Sequence, residues 1–106
     1  MNMKRVAFAM KLKKDCADEY KRRHDAIWPE LSTLLKRTGI QQYSIFLDDS
    51  NNTLFGYLKV EDPALLDKLR DEPLMWKWWN YMADIMDTNP DHSPVSMPLQ
   101  EVFYLP

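Results

Sequence analysis

A chain of 106 residues has room for one domain, residues 1–106, and no second core. Its formal net charge of −2 offers no electrostatic reason to bind nucleic acid, and its apolar runs fall far short of the roughly 20 residues of a membrane span. The single cysteine, Cys16, excludes an intrachain disulfide and any cysteine cluster for zinc, and it fits a reducing compartment. The short apolar run that ends at Met10 meets Lys11, Lys13 and Lys14 before a cleavage site, so a soluble cytoplasmic protein is expected. Charge is uneven along the chain. Residues 1–23 carry eight Lys/Arg against three Asp/Glu, and residues 61–91 carry three against eight, an asymmetry that suits either a solvated surface or the association of two copies.

Loose alternation from Arg5 to Leu12 predicts a first strand. Asp15 then reads as an N-cap, with Asp18 and Glu19 in the first turn of a helix. Tyr20, His24, Ile27, Leu31, Leu34 and Leu35 recur at three- and four-residue steps and form one inward stripe. Pro29 disfavours helical geometry at Trp28, which predicts a break around 25–28 and a restart at Pro29 and Glu30. Gly39 is placed to end the helix. Strands follow at 42–47, with Tyr43, Ile45 and Leu47 on one face, and at 53–60, joined by the turn residues 48–52 into a hairpin. Asp62-Pro63 opens a short helix bearing Leu65, Leu66 and Leu69. Pro73 starts another that carries Met75, Trp78, Trp79, Met82, Ile85 and Met86. A polar loop is expected from Asn89 to Pro98 and a last strand from Glu101 to Leu105.

The order β-α-β-β-α-β is the ferredoxin-like pattern of the α+β class, an antiparallel sheet with helices on one face. The other face must meet a ligand, a partner subunit or both. This fold serves many functions, so the chemistry has to be sought in particular residues.

With two glycines the chain cannot build a P-loop or a dinucleotide fingerprint, and it has no nucleophile elbow. Two histidines make a weak metal site. Tyr43, Phe46, Phe55 and Tyr57 put aromatics on the hairpin, but without a basic groove they do not make an RNA-binding sheet. His24 lies on the apolar side of a helix just before the break at Pro29. It is either a satisfied boundary residue or a proton carrier at neutral pH. Tyr20, one turn earlier, lies beside it and suits either the edge of a core or a polyhydroxyl ligand. Trp76, Trp78 and Trp79 cannot all point the same way from one helix. One or two of them could present a flat indole to the C–H face of a pyranose. The segment Asn89-Pro90-Asp91-His92-Ser93-Pro94 reads as a capped loop or as a pocket rim.

Together these residues resemble a known family. Tyr20-Lys21-Arg22-Arg23-His24-Asp25-Ala26-Ile27-Trp28-Pro29-Glu30 is similar to the first signature of L-rhamnose mutarotases. Trp78-Trp79-Asn80-Tyr81-Met82, then Asn89-Pro90-Asp91 and Ser93-Pro94, are similar to the second, and the ending from Leu99 to Pro106 also matches. The resemblance spans almost the whole chain. It implies a ferredoxin-like subunit of a dimeric α/β barrel, a cytoplasmic homodimer, and interconversion of the α and β anomers of L-rhamnose by an isomerase that uses neither cofactor nor metal. It places a catalytic proton donor at His24, sugar-binding tyrosines at Tyr20 and Tyr43, and a sugar-binding tryptophan pair at Trp78 and Trp79. Asp25-Ala26 and His92 depart from the bacterial pattern, so the resemblance carries the reaction further than it carries the exact sugar, and another 6-deoxy sugar stands behind L-rhamnose.

On this reading, protonated His24 donates to the ring oxygen of the sugar. The base is left open among a water, Tyr20 and Asp91. Two rival readings are a cofactor-free oxygenase of the same architecture and a non-enzymatic sugar-binding module. The first would leave sugars untouched, and the second would still bind sugar after His24→Ala.

Overall fold

The computed structural model describes residues 2–106. Strands β1 (Lys4–Lys11), β2 (Gln41–Asp48), β3 (Thr53–Val60) and β4 (Ser96–Leu99) form one four-stranded antiparallel sheet in the order β2-β3-β1-β4. Helices α1 (Ala17–Asp25), α2 (Pro29–Arg37), α3 (Ala64–Asp67) and α4 (Pro73–Met82) complete the fold, with a 3₁₀ turn at Lys68–Asp71 between the last two. This is the expected ferredoxin-like α+β arrangement.

Strand register decides which face meets the helices. Phe8 of β1 and Ile45 of β2 both pair with Gly56 of β3, and Met10 and Leu47 both pair with Leu54, so these side chains share one face. Met10 and Leu54 are buried in a cluster with Leu31 and Leu34 of α2 and Met75, Trp78 and Met82 of α4. Burying each such side chain stabilises the fold by roughly 1.5–3 kcal/mol. Gly56 is required here because a Cβ at that position would overlap the Phe8 ring, which lies across it.

The opposite face carries a row that crosses all four strands, Phe46, Phe55, Ala9 and Met97, each paired with the next. Phe46 is 67% exposed and Met97 61%, while Ala9 between them is buried, so the apolar row is open at its two ends in the single chain.

Local chemistry explains the helix ends. α1 stops at Asp25 and α2 begins at Pro29, the break that the proline predicts. Gly39 has φ +100°, its N–H donates to the Lys36 carbonyl, and the Ile40 N–H donates to the Leu35 carbonyl, the paired bonds of a Schellman motif. Asp62 accepts the Ala64 N–H at 3.0 Å, and Pro63 already has helical angles, so this pair opens α3 as expected.

Three expectations are corrected. Asp15 is not the N-cap of α1: it adopts φ +62°, and Cys16 takes the boundary position, its carbonyl accepting the Tyr20 N–H. α4 ends at Met82 rather than running through Met86. Ile85 and Met86 are still buried, but the backbone there turns to join the sheet, with Lys13 N–H donating to the Ile85 carbonyl and Leu12 bridging Met86. The last strand is Ser96–Leu99, not 101–105, and it pairs with Ala7–Met10. Pro98 is tolerated there because β4 is an edge strand. Beyond it the tail is held by side chains: Arg5 makes a two-pronged pair with Glu101 at 2.7 and 2.9 Å and lies 3.5 Å over the Tyr104 ring.

Candidate active site

Four residues' spacing on α1 puts Tyr20 and His24 on the same face, and their rings stack with centroids 4.2 Å apart. His24 Nδ1 lies 3.0 Å from the Tyr20 backbone carbonyl. A carbonyl only accepts, so Nδ1 carries the hydrogen and donates it. In the neutral ring Nε2 is then the free acceptor. Burial pushes the His24 pKa below its ordinary value, opposed by the Tyr20 carbonyl and by the Asp25 carboxylate. A ring shifted in this direction is neutral at neutral pH, whereas the expected proton donor is the protonated form.

Trp78 closes the other side of His24. Their ring centroids are 5.4 Å apart at 87°, edge to face. Trp78 also meets Trp28 edge to face at 5.0 Å, while Tyr81 stacks on Trp28 at 5.5 Å and tilts against Trp78 at 5.6 Å. Trp28 reaches this group because the chain is extended there, φ −60° and ψ 130°, just ahead of Pro29.

Tyr43 approaches from the sheet. The β2–β3 register shifts between Gln41 and Ser44, and Gln42 takes φ +52°, a bulge of the kind that re-aims a side chain. The Tyr43 ring lies edge-on to Phe8 at 6.2 Å, on the helix side. Burial pushes its hydroxyl up to about 12. The residue as a whole is 39% exposed, so its side chain still reaches solvent. Burial raises the Tyr20 hydroxyl still more, and Tyr43 adds to that shift. Both hydroxyls keep their protons at neutral pH, which leaves them able to donate hydrogen bonds and makes them poor bases.

The sequence-predicted residues are therefore only partly assembled. Tyr20, His24 and Trp78 are in ring contact, and Tyr43 lies close enough to act on Tyr20. Trp79 packs against the edge of the same core, but its ring meets Trp76 at 4.7 Å and faces Arg70 at 5.7 Å. Asp91 makes no hydrogen bond to Tyr20, His24, Tyr43 or Trp78. Its carboxylate accepts from the Ser93 N–H and hydroxyl and lies 4.0 Å from Arg70. The 89–94 segment is bonded mainly within itself, with Asn89 donating to Ser93, and His92 Nδ1 meets Asn80 Oδ1 at 2.8 Å. This is the capped-loop form.

Sequence reasoning missed Arg23, Trp28 and Tyr81. The four-residue step from Glu19 to Arg23 is the signal that could have found their ion pair. Nothing local points to Asp84, the other partner of Arg23.

Two surface grooves, of about 560 Å³ beside Lys4, Arg5 and Lys59 and about 650 Å³ beside Glu30, Arg37 and Lys77, contain none of these residues. The aromatic group marks the candidate site because it joins a titratable ring to buried donors. Among the described residues no three His, Cys, Asp or Glu side chains come together to hold a metal ion, and no helix is long and apolar enough to cross a membrane.

Comparison with known proteins identifies the family. The family model described as L-rhamnose mutarotase matches residues 5–105. An L-rhamnose mutarotase of Formosa agariphila is 52% identical over 97% of this chain and 99% of its own length. One from Brucella anthropi is 51% identical over the full length of both. The crystal structure of an L-rhamnose mutarotase from Formosa agariphila superposes with a TM-score of 0.90 at 51% identity, covering 97% of this chain and 99% of that one. Rv0793 from Mycobacterium tuberculosis, at 14% identity and a TM-score of 0.56 over 94% of this chain and 95% of that one, shares the fold alone. Matched along nearly its whole length by the family model and by relatives at about half identity, the chain belongs to the L-rhamnose mutarotase family.

Proposed function

We propose that the chain interconverts the α and β anomers of L-rhamnose, with residues 1–106 acting as one mutarotase domain and His24 as the group that moves the proton. The observation that carries the role of His24 is its bond to the Tyr20 carbonyl, which leaves Nε2 as the nitrogen free to meet a sugar. Opening a hemiacetal removes a proton from the anomeric hydroxyl O1 and delivers one to the ring oxygen O5. Both oxygens are bonded to C1, so one imidazole can serve both. Neutral His24 accepts the O1 proton through Nε2 as the C1–O5 bond breaks, and the imidazolium returns that proton to O5. The aldehyde end then rotates, and the same steps in reverse close the ring on the other face. The proton count balances without cofactor, metal or covalent intermediate. General acid/base help of this kind is worth about 10²–10⁴-fold.

Tyr20 and Tyr43, held protonated, bond sugar hydroxyls, and Trp78 and Trp79 offer indole faces or edges to the ring's C–H surface. Saturation transfer between the anomeric protons of L-rhamnose measures the reaction. Wild type accelerates exchange, and His24→Ala loses the acceleration. Full acceleration by a folded His24→Ala protein contradicts the assignment. Repeating the measurement across several aldoses shows how far L-rhamnose is preferred.

We further propose that the protein works as a cytoplasmic homodimer. The apolar row from Phe46 to Met97 supports a second copy on the open sheet face, and a single half-buried free thiol at Cys16 suits a reducing compartment. Phe46→Asp, tested by light scattering after size exclusion, shifts the protein toward the monomer on this view, and an unchanged mass argues against it.

A further inference from the structure

We propose that Arg23 is a positioning residue for His24: its guanidinium fastens α1 to the end of α4 and so sets the imidazole against Trp78. The proposal rests on the reading of His24 given above. Arg23 is only 9% exposed, which is unusual for a cation and requires a full set of partners. Nε donates to Glu19 at 2.6 Å. Nη1 donates to the Tyr81 carbonyl and to Asp84, both at 2.8 Å, and Nη2 reaches the second Asp84 oxygen at 3.2 Å. The same guanidinium lies 4.5 Å over the Tyr81 ring.

These bonds converge on the place where α1 most needs them. The helix is nine residues long, and the break before Pro29 cuts it off from α2, so α2 does not fix its last turn. Successive helical residues point about 100° apart. Arg23 therefore leaves the helix on the flank beside His24. Its fork restrains rotation of α1 from one side while the Tyr20–His24 stack rests on Trp78 from the other. Through Tyr81, the same guanidinium also holds the ring that backs Trp28 and Trp78. A planar, two-pronged donor fixes direction as well as distance, which a lysine ammonium does not.

The test compares Arg23→Lys, Asp84→Asn and His24→Gln, with kcat and KM for L-rhamnose taken from anomeric exchange and the near-ultraviolet circular dichroism of the tryptophan cluster recorded alongside. A misplacement of the proton carrier by about 1 Å can cost on the order of 100-fold in rate. Arg23→Lys is expected to lower kcat at least about tenfold with KM within about threefold, and to change the aromatic band. Asp84→Asn keeps one prong's geometry and gives a smaller loss of the same kind. Its side chain is 67% exposed, so this variant keeps the fold and decides the matter if Arg23→Lys does not fold. Wild-type kcat in both folded variants, or a loss carried by KM alone, overturns the proposal while leaving His24 in place. Wild-type activity in His24→Gln overturns the reading beneath it instead.

Discussion

Trp78 and Trp79 are adjacent in sequence and lie in different surroundings. Trp78 is 6% exposed and wedged among His24, Trp28 and Tyr81. Trp79 is half-buried, with Trp76 and Arg70 as its ring neighbours. The helical step of about 100° separates them, and whatever lies on each side decides their roles. On the Trp78 side every aromatic ring leads to another, and through Arg23 and Tyr81 to a charged clamp. On the Trp79 side the rings lead to Arg70, whose carbonyl accepts from Trp76 Nε1 at 2.6 Å and whose exposed guanidinium lies 4.0 Å from Asp91. A tryptophan pair read as one unit in the sequence is thus one wall residue and one rim residue.

That contrast predicts graded effects. Trp78→Ala removes a ring that both fills the core and backs His24, so it destabilises by about 3–5 kcal/mol in denaturant melts and takes the activity with it. Gly56→Ala acts on the same side from the sheet. The added methyl displaces Phe8 and with it the support of Tyr43, costing about 1–3 kcal/mol by the same melts and raising KM. Trp76→Phe, on the rim side, forfeits one hydrogen bond, so a loss of about 0.5–1.5 kcal/mol with unchanged anomeric exchange is expected. If Trp76→Phe proves as damaging as Trp78→Ala, the division into wall and rim is wrong.

The parts of the fold legible in the sequence are those set by local chemistry. β3 begins at Thr53 and ends at Val60 as the hairpin reading predicts, Pro29 cuts the helix, and Gly39 closes it. The misplaced elements depend on pairing partners that no local pattern reveals. Glu101–Leu105 has the composition of a strand, but β1 spends its free edge on Ser96–Leu99, and a proline in that segment hides it from a propensity reading. The closeness of Tyr20 to His24 was legible from their spacing, and the ring contact of His24 with Trp78 joins two residues that only the family likeness had named together. Arg23 was not legible, because its meaning comes from Asp84, sixty-one positions away and brought alongside only by folding. The neutral resting state of His24 likewise depends on burial, which the sequence does not disclose.

The proposed chemistry depends on that neutral state, which the pH dependence of anomeric exchange reads out. Burial places the folded pKa of His24 below the ordinary histidine value of about 6.5. If neutral His24 starts the reaction, kcat/KM for L-rhamnose rises with pH through a midpoint below about 6.5 and holds level through neutrality. The folded state also binds fewer protons there than the unfolded chain, so this group makes stability fall as the pH drops below about 6.5. A rate that instead declines as pH rises through the same range would mean that the protonated ring starts the reaction and that His24 does not act from its neutral form.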